Sequence, residues 1–104
     1  MTDTRCYMII TAKIHDRDAF LSGYSQATAP LVERFGGRYV LRAPGAETLE
    51  GDVADGASVA ISEWPDRAAA KAFWNSPEYA EAKKLREGLA DVQVVLVDAP
   101  GMAA

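Results

Sequence analysis

Six polar residues stand on otherwise apolar segments and could do chemistry together: Tyr24, Arg42, Glu50, Glu63, Tyr79 and Arg86. Arg42 and Arg86 would hold an anionic or carbonyl group, because a guanidinium presents a fork of donors that matches a carboxylate. Glu50 or Glu63 would serve as a base, and Tyr24 or Tyr79 would donate a hydrogen bond. The expected catalytic set is thus Glu50, Glu63 and Tyr79, and the expected ligand-binding set is Tyr24, Arg42 and Arg86. The competing expectation is structural. Arg42 would pair with Glu50 or Glu63 as a buried ion pair that fixes the fold, with no ligand at all.

Other reactive residue types are scarce. His15 is the only histidine, which rules out a multi-histidine metal site within one subunit. It neighbours Asp16, and adjacent side chains diverge, so His15 reads as an exposed junction residue. Cys6 is the only cysteine and can form no internal disulfide; at the start of an apolar strand it reads as a small packing residue. Neither Gly36-Gly37 nor Gly51 precedes the Lys-Ser/Thr signature of a phosphate loop. Trp64, Phe73 and Trp74 are expected in the core or at an interface. No metal or cofactor is expected.

The elements that must position these residues follow from periodicity. Cys6 to Ile14 is nearly continuously apolar and predicts a strand buried on both faces. Asp16 is a good cap for a long helix whose stripe is Phe20, Tyr24, Ala27, Leu31 and Phe35. Pro30 should kink that helix and Gly36-Gly37 should end it. A second strand covers about Arg38 to Ala43, and strict alternation puts Arg38, Val40 and Arg42 on one face. After a turn-rich stretch containing Glu50, the third strand, Ala57 to Trp64, puts Val59, Ile61 and Glu63 on one side. Asp66 caps a helix through Trp74, and Ser76-Pro77 starts another. Tyr79 and Arg86, seven apart, should share a side of it. Val92 to Asp98 is the last strand.

The order strand, helix, strand, strand, helix, strand is the split pattern of an α+β, ferredoxin-like sandwich: a four-stranded antiparallel sheet with both helices on one face. The first and last strands are apolar on both faces, yet helices can cover only one. A monomer would therefore expose a large apolar patch, and pairing two bare sheets into a homodimer removes it. The 104 residues fit one domain, structured from about 5 to 99, with tails expected at Met1 to Thr4 and Pro100 to Ala104. Acidic residues outnumber basic ones 15 to 11, for a net charge of −4, and no basic cluster forms, so nucleic acid is not an expected partner. No apolar run is long enough to span a membrane, and the first residues do not read as a signal peptide. A cytoplasmic protein is expected.

Four blocks in order, Gly36-Gly37-Arg38-Tyr39 with Leu41-Arg42, Leu49-Glu50-Gly51, Glu63-Trp64-Pro65, and Ser76-Pro77-Glu78-Tyr79 with Arg86, resemble the domain of unknown function 1330 family. The resemblance runs from about Tyr7 to Leu96 and departs at Trp64, where Phe is expected, and at His15, where Thr is more usual. It implies a dimeric α/β barrel, in which two ferredoxin-like subunits join their sheets and the ligand cleft lies between sheet and helices. Superfamily relatives include monooxygenases and muconolactone-type isomerases, which would make this chain a small-molecule-binding domain or a cofactor-independent enzyme. Haem-using relatives need an axial ligand on the helical side, where this chain has no histidine. The alternative is a non-enzymatic dimeric stress-associated or ligand-sensing protein whose polar cluster is structural.

Overall fold

The computed structural model describes residues 4–52 and 55–100. Strand β1 (Thr4–Ile14) leads into a helical block made of α1 (Arg17–Ala19), a π-helical turn (Phe20–Ser25) and α2 (Gln26–Arg34). Then come β2 (Arg38–Ala43), β3 (Ser58–Trp64), α3 (Arg67–Trp74), α4 (Pro77–Lys84) and β4 (Ala90–Pro100). The sheet is antiparallel in the order β2-β3-β1-β4, the ferredoxin-like arrangement. Its helices lie on one face.

Local chemistry starts the helices where the residue types predict. The carboxylate of Asp16 accepts from the Ala19 amide at 3.1 Å, and Asp66 accepts from Ala69 at 2.8 Å. Ser76 accepts from the Tyr79 amide at 3.0 Å, with Pro77 in the first turn where no donor is wasted. Each cap satisfies an amide the helix itself cannot. Helix α2 runs through Pro30 to Arg34 and stops before Gly36-Gly37. A π-turn lies upstream and moves the buried stripe to Phe20, Tyr24, Thr28 and Val32.

Cys6, Met8 and Trp64 from the sheet pack with Val32, Ala70, Phe73, Tyr79 and Ala82 from the helices in one buried cluster. The Gly36-Gly37 block belongs to this packing. Gly36 has φ +95°, a conformation that favours glycine, and a Cβ at Gly37 would lie 2.8 Å from the Trp64 ring. Two expected tails are partly strand: Thr4 pairs with Pro100, and β1 and β4 run side by side from there to Ile14 and Ala90. Met1–Asp3 and Gly101–Ala104 lie outside the described residues. The slab is 16 Å deep by Cα extent, room for a sheet and one helical layer and no third.

On the other face Tyr7, Ile9, Leu41, Val59, Ile61, Val95 and Val97 line up through the strand register. No helix covers them, and Val95 stays 56% exposed.

Candidate ligand cleft

Between the sheet and the π-turn lies a cleft of about 230 Å³. Ile10, Ala12, Tyr39, Arg42 and Ala60 form its sheet wall; Phe20, Leu21 and Tyr24 form its helical wall, with Arg17 and Ser58 among the lining groups. A bulge puts Arg42 there. Tyr39 pairs with Ser62 and Leu41 with Ile61, so Val40 is an extra residue without a partner on β3. The extra residue reverses the alternation. Arg38 and Leu41 therefore face away from the helices, while Tyr39 and Arg42 face them. Arg38 and Arg42 do not share a face, contrary to the expectation from strict alternation.

Arg42 is exposed and sits on an edge strand; its guanidinium carbon lies 4.8 Å from the centre of the Tyr39 ring. Among the described residues it forms no ion pair. The expected buried pair of Arg42 with Glu50 or Glu63 is not formed: the bulge puts Glu63 on the opposite face of the sheet from Arg42, and Glu50 lies on the loop between β2 and β3. Burial pushes the Tyr39 hydroxyl above the ordinary phenol range, with Arg42 opposing.

Tyr24 and Tyr79 meet hydroxyl to hydroxyl at 2.7 Å. Tyr79 is fully enclosed in the core, whereas Tyr24 reaches from that core to the cleft wall. Burial, and then the neighbouring Tyr79, hold the Tyr24 hydroxyl far above the ordinary phenol range. Arg86 follows the end of α4, in the turn after Lys84, and packs its guanidinium 5.5 Å from the Tyr24 ring centre. Its Nε is buried with no hydrogen-bond partner among the described residues, and it does not line the cleft. Arg86 backs Tyr24. Behind Tyr24 and Tyr39 a void of about 10 Å³ is bordered by Thr28, whose buried hydroxyl is likewise unpartnered. That is about the space of one water.

The two glutamates lie elsewhere. Glu63 is on the helix-free face, where it accepts from Tyr7 at 2.7 Å and from Arg38 at 2.9 Å. The Tyr7 hydrogen bond and then Arg38 hold its carboxyl below the usual range. Glu50 is exposed on the loop between β2 and β3 and lines no part of the cleft. His15 pairs with Asp91 at 3.1 Å on the surface, and Cys6 is wholly buried, its thiol pushed up by burial and then by Asp98. Among the described residues no three His, Cys, Asp or Glu side chains group as metal ligands.

Sequence reasoning missed Tyr39, Arg17 and Thr28. Tyr39 stood inside the Gly36-Gly37-Arg38-Tyr39 block, which was the available signal. Arg17 gave none beyond its place next to a helix cap.

Comparison with known proteins agrees with this architecture. RPA0582 of Rhodopseudomonas palustris, a protein of unknown function, superposes with a TM-score of 0.75 at 23% identity, over 91% of this chain and 82% of that one. SnoaB of Streptomyces nogalater, a cofactor-independent oxygenase, superposes with a TM-score of 0.69 at 19% identity, over 95% and 96%. These likenesses show a shared ferredoxin-like fold. No curated protein sequence matches the chain. The model of the domain of unknown function (DUF1330) family matches residues 5–100, nearly the whole chain, and the protein belongs to that family.

Proposed function

We propose that the protein is a homodimeric small-molecule-binding protein with one cleft per subunit, taking a compact ligand that bears an anionic or carbonyl group. The observation that carries this is Arg42: a guanidinium on the wall of an apolar cleft, without a carboxylate partner among the described residues. Small-molecule sites combine apolar walls with a few placed polar groups. Tyr24 and Tyr39 supply the remaining hydrogen-bonding capacity, with Tyr79 and Arg86 positioning Tyr24 from behind.

The likeness to a cofactor-independent oxygenase favours enzymatic use of the cleft. Among the described residues its lining holds no carboxylate or imidazole, so within one subunit it suits stabilising an anion more than removing a proton. The base roles considered for Glu50 and Glu63 are not carried into this reading, since neither reaches the cleft. The rival reading, a purely structural polar cluster, has its support on the other face, where Glu63, Arg38 and Tyr7 satisfy one another.

Dimerisation is supported by the helix-free face, whose Leu41, Val95 and Val97 remain 43–56% exposed in one subunit. Pairing two such faces is the arrangement that the superfamily resemblance implies. A cytoplasmic setting belongs to the same reading and rests on the lone, buried thiol of Cys6.

The test is a thermal-shift screen of small carboxylates and carbonyl compounds on wild type and Arg42→Ala. Stabilisation of wild type that Arg42→Ala loses, with the variant still folded, is the expected result. If no compound stabilises wild type, the binding reading fails.

A further inference from the structure

The charge of the cleft is opposite to that of the molecule. The chain carries a net −4, yet among the described residues the charged groups lining the cleft are Arg17 and Arg42, with no carboxylate. Three other arginines are neutralised: Arg34 pairs with Glu78, Arg38 with Glu63 and Arg67 with Asp98, while Arg5 and Arg86, which do not line the cleft, form no ion pair among the described residues. The two cleft arginines have no such partner among the described residues. Arg17 reaches only the Ser58 hydroxyl, at 3.5 Å, and Arg42 rests on the Tyr39 ring. Between them the walls are hydrocarbon and aromatic: Ile10, Ala12, Phe20 and Leu21. Two guanidinium groups beside an apolar slot match a ligand with one flat apolar body and one carboxylate.

Size narrows the class. An apolar cavity of about 150 Å³ accepts benzene, and a water occupies about 30 Å³ of liquid. The 230 Å³ here therefore suit one ring plus a substituent of carboxylate size. We infer that the cleft selects one-ring carboxylates, with the ring against Phe20 and Ile10 and the carboxylate held by Arg17 as well as Arg42. This rests on the cleft being a ligand site, and it adds Arg17 as a specificity residue.

Calorimetric titration and amide chemical-shift mapping with benzoate, benzamide and acetate test it on the whole protein. Benzoate should bind at least about tenfold more tightly than neutral benzamide or ringless acetate, a difference of about 1.4 kcal/mol. Its affinity should fall with added salt while that of benzamide does not. Arg17→Gln and Arg42→Gln should each weaken benzoate at least about tenfold. Both side chains are exposed, so the variants should fold. The wild-type comparison of the three probes stands even if one does not. Benzamide binding as tightly as benzoate, with shifts at Ile10 and Phe20, would overturn the carboxylate preference and leave the cleft a ligand site. Unchanged benzoate affinity in Arg17→Gln would remove Arg17 from the site. No cleft shifts with any probe would defeat both this inference and the binding reading beneath it.

Discussion

The two faces of the sheet are made by the same four strands and have opposite characters. The helix-covered face is aromatic and hydroxyl-rich: Trp64, Tyr39 and Ser62 meet Tyr24, Thr28, Phe73 and Tyr79, and the fit leaves a cleft at one end. The open face is aliphatic, with Ile9, Ile61 and Val95 adjoining along the register, and with one satisfied polar group of Tyr7, Glu63 and Arg38. A surface that encloses its own helices can keep polar groups and voids for a ligand. A flat aliphatic surface has little to offer a small molecule and much to offer a copy of itself.

The sharpest way to break the contrast is Ile9→Lys, which puts a charge at the centre of the open face. If that face is the dimer interface, burying the unpaired charge costs several kcal/mol, and the variant should be monomeric or unfolded by light scattering. An unchanged oligomeric state would remove the open face from the interface. On the covered face, Gly37→Ala should cost roughly 1–3 kcal/mol by overpacking, since its Cβ would lie 2.8 Å from Trp64. A melting temperature equal to wild type would show that the Trp64 ring can retreat.

Acid should act through the open face. The carboxyl of Glu63 is held below its ordinary value, so its contribution is complete above the usual carboxylate range, about pH 4.3, and is lost as pH falls through the depressed folded value. Urea midpoints measured from pH 6 to pH 3 should therefore fall less steeply in Glu63→Gln, which should itself cost about 1 kcal/mol at neutral pH. Parallel acid profiles would assign the loss to other carboxylates. Smallest of all, Glu50→Gln should change neither stability beyond about 0.5 kcal/mol nor ligand binding. A binding defect in that variant would mean that Glu50 reaches a cleft in the assembled protein.

Much of this contrast was readable in the chain. The three caps, the four strands and the surplus of apolar residues on β1 and β4 are local patterns, and each appears where periodicity places it. The site was less readable because two single-residue phase slips bound it. The extra residue at Val40 carries no mark, since valine suits a regular strand as well as a bulge, yet it separates Arg42 from Arg38. The π-turn does the same on the helical wall, bringing Thr28 into the buried stripe beside Tyr24. The bonds of Tyr7 to Glu63 and Tyr24 to Tyr79 join residues 56 and 55 positions apart, and only strand order and helix docking bring them together.

The bulge at Val40 has a second consequence, for how the protein resists aggregation. β2 and β4 are the two rims of the sheet, each with a row of backbone donors and acceptors that a stray strand could use. On β2 the unpaired residue, together with the flanking cations Arg38 and Arg42, interrupts any regular hydrogen-bonding register after only a few residues. β4 has no such interruption along its eleven residues and carries Val92, Val94, Val95, Leu96 and Val97 in a near-continuous run. Its protection comes from Asp91, Gln93, Asp98 and the terminal Pro100. Crowded or partly unfolded chains should therefore join first along the β4 rim, and the bulged rim should stay the quiet one.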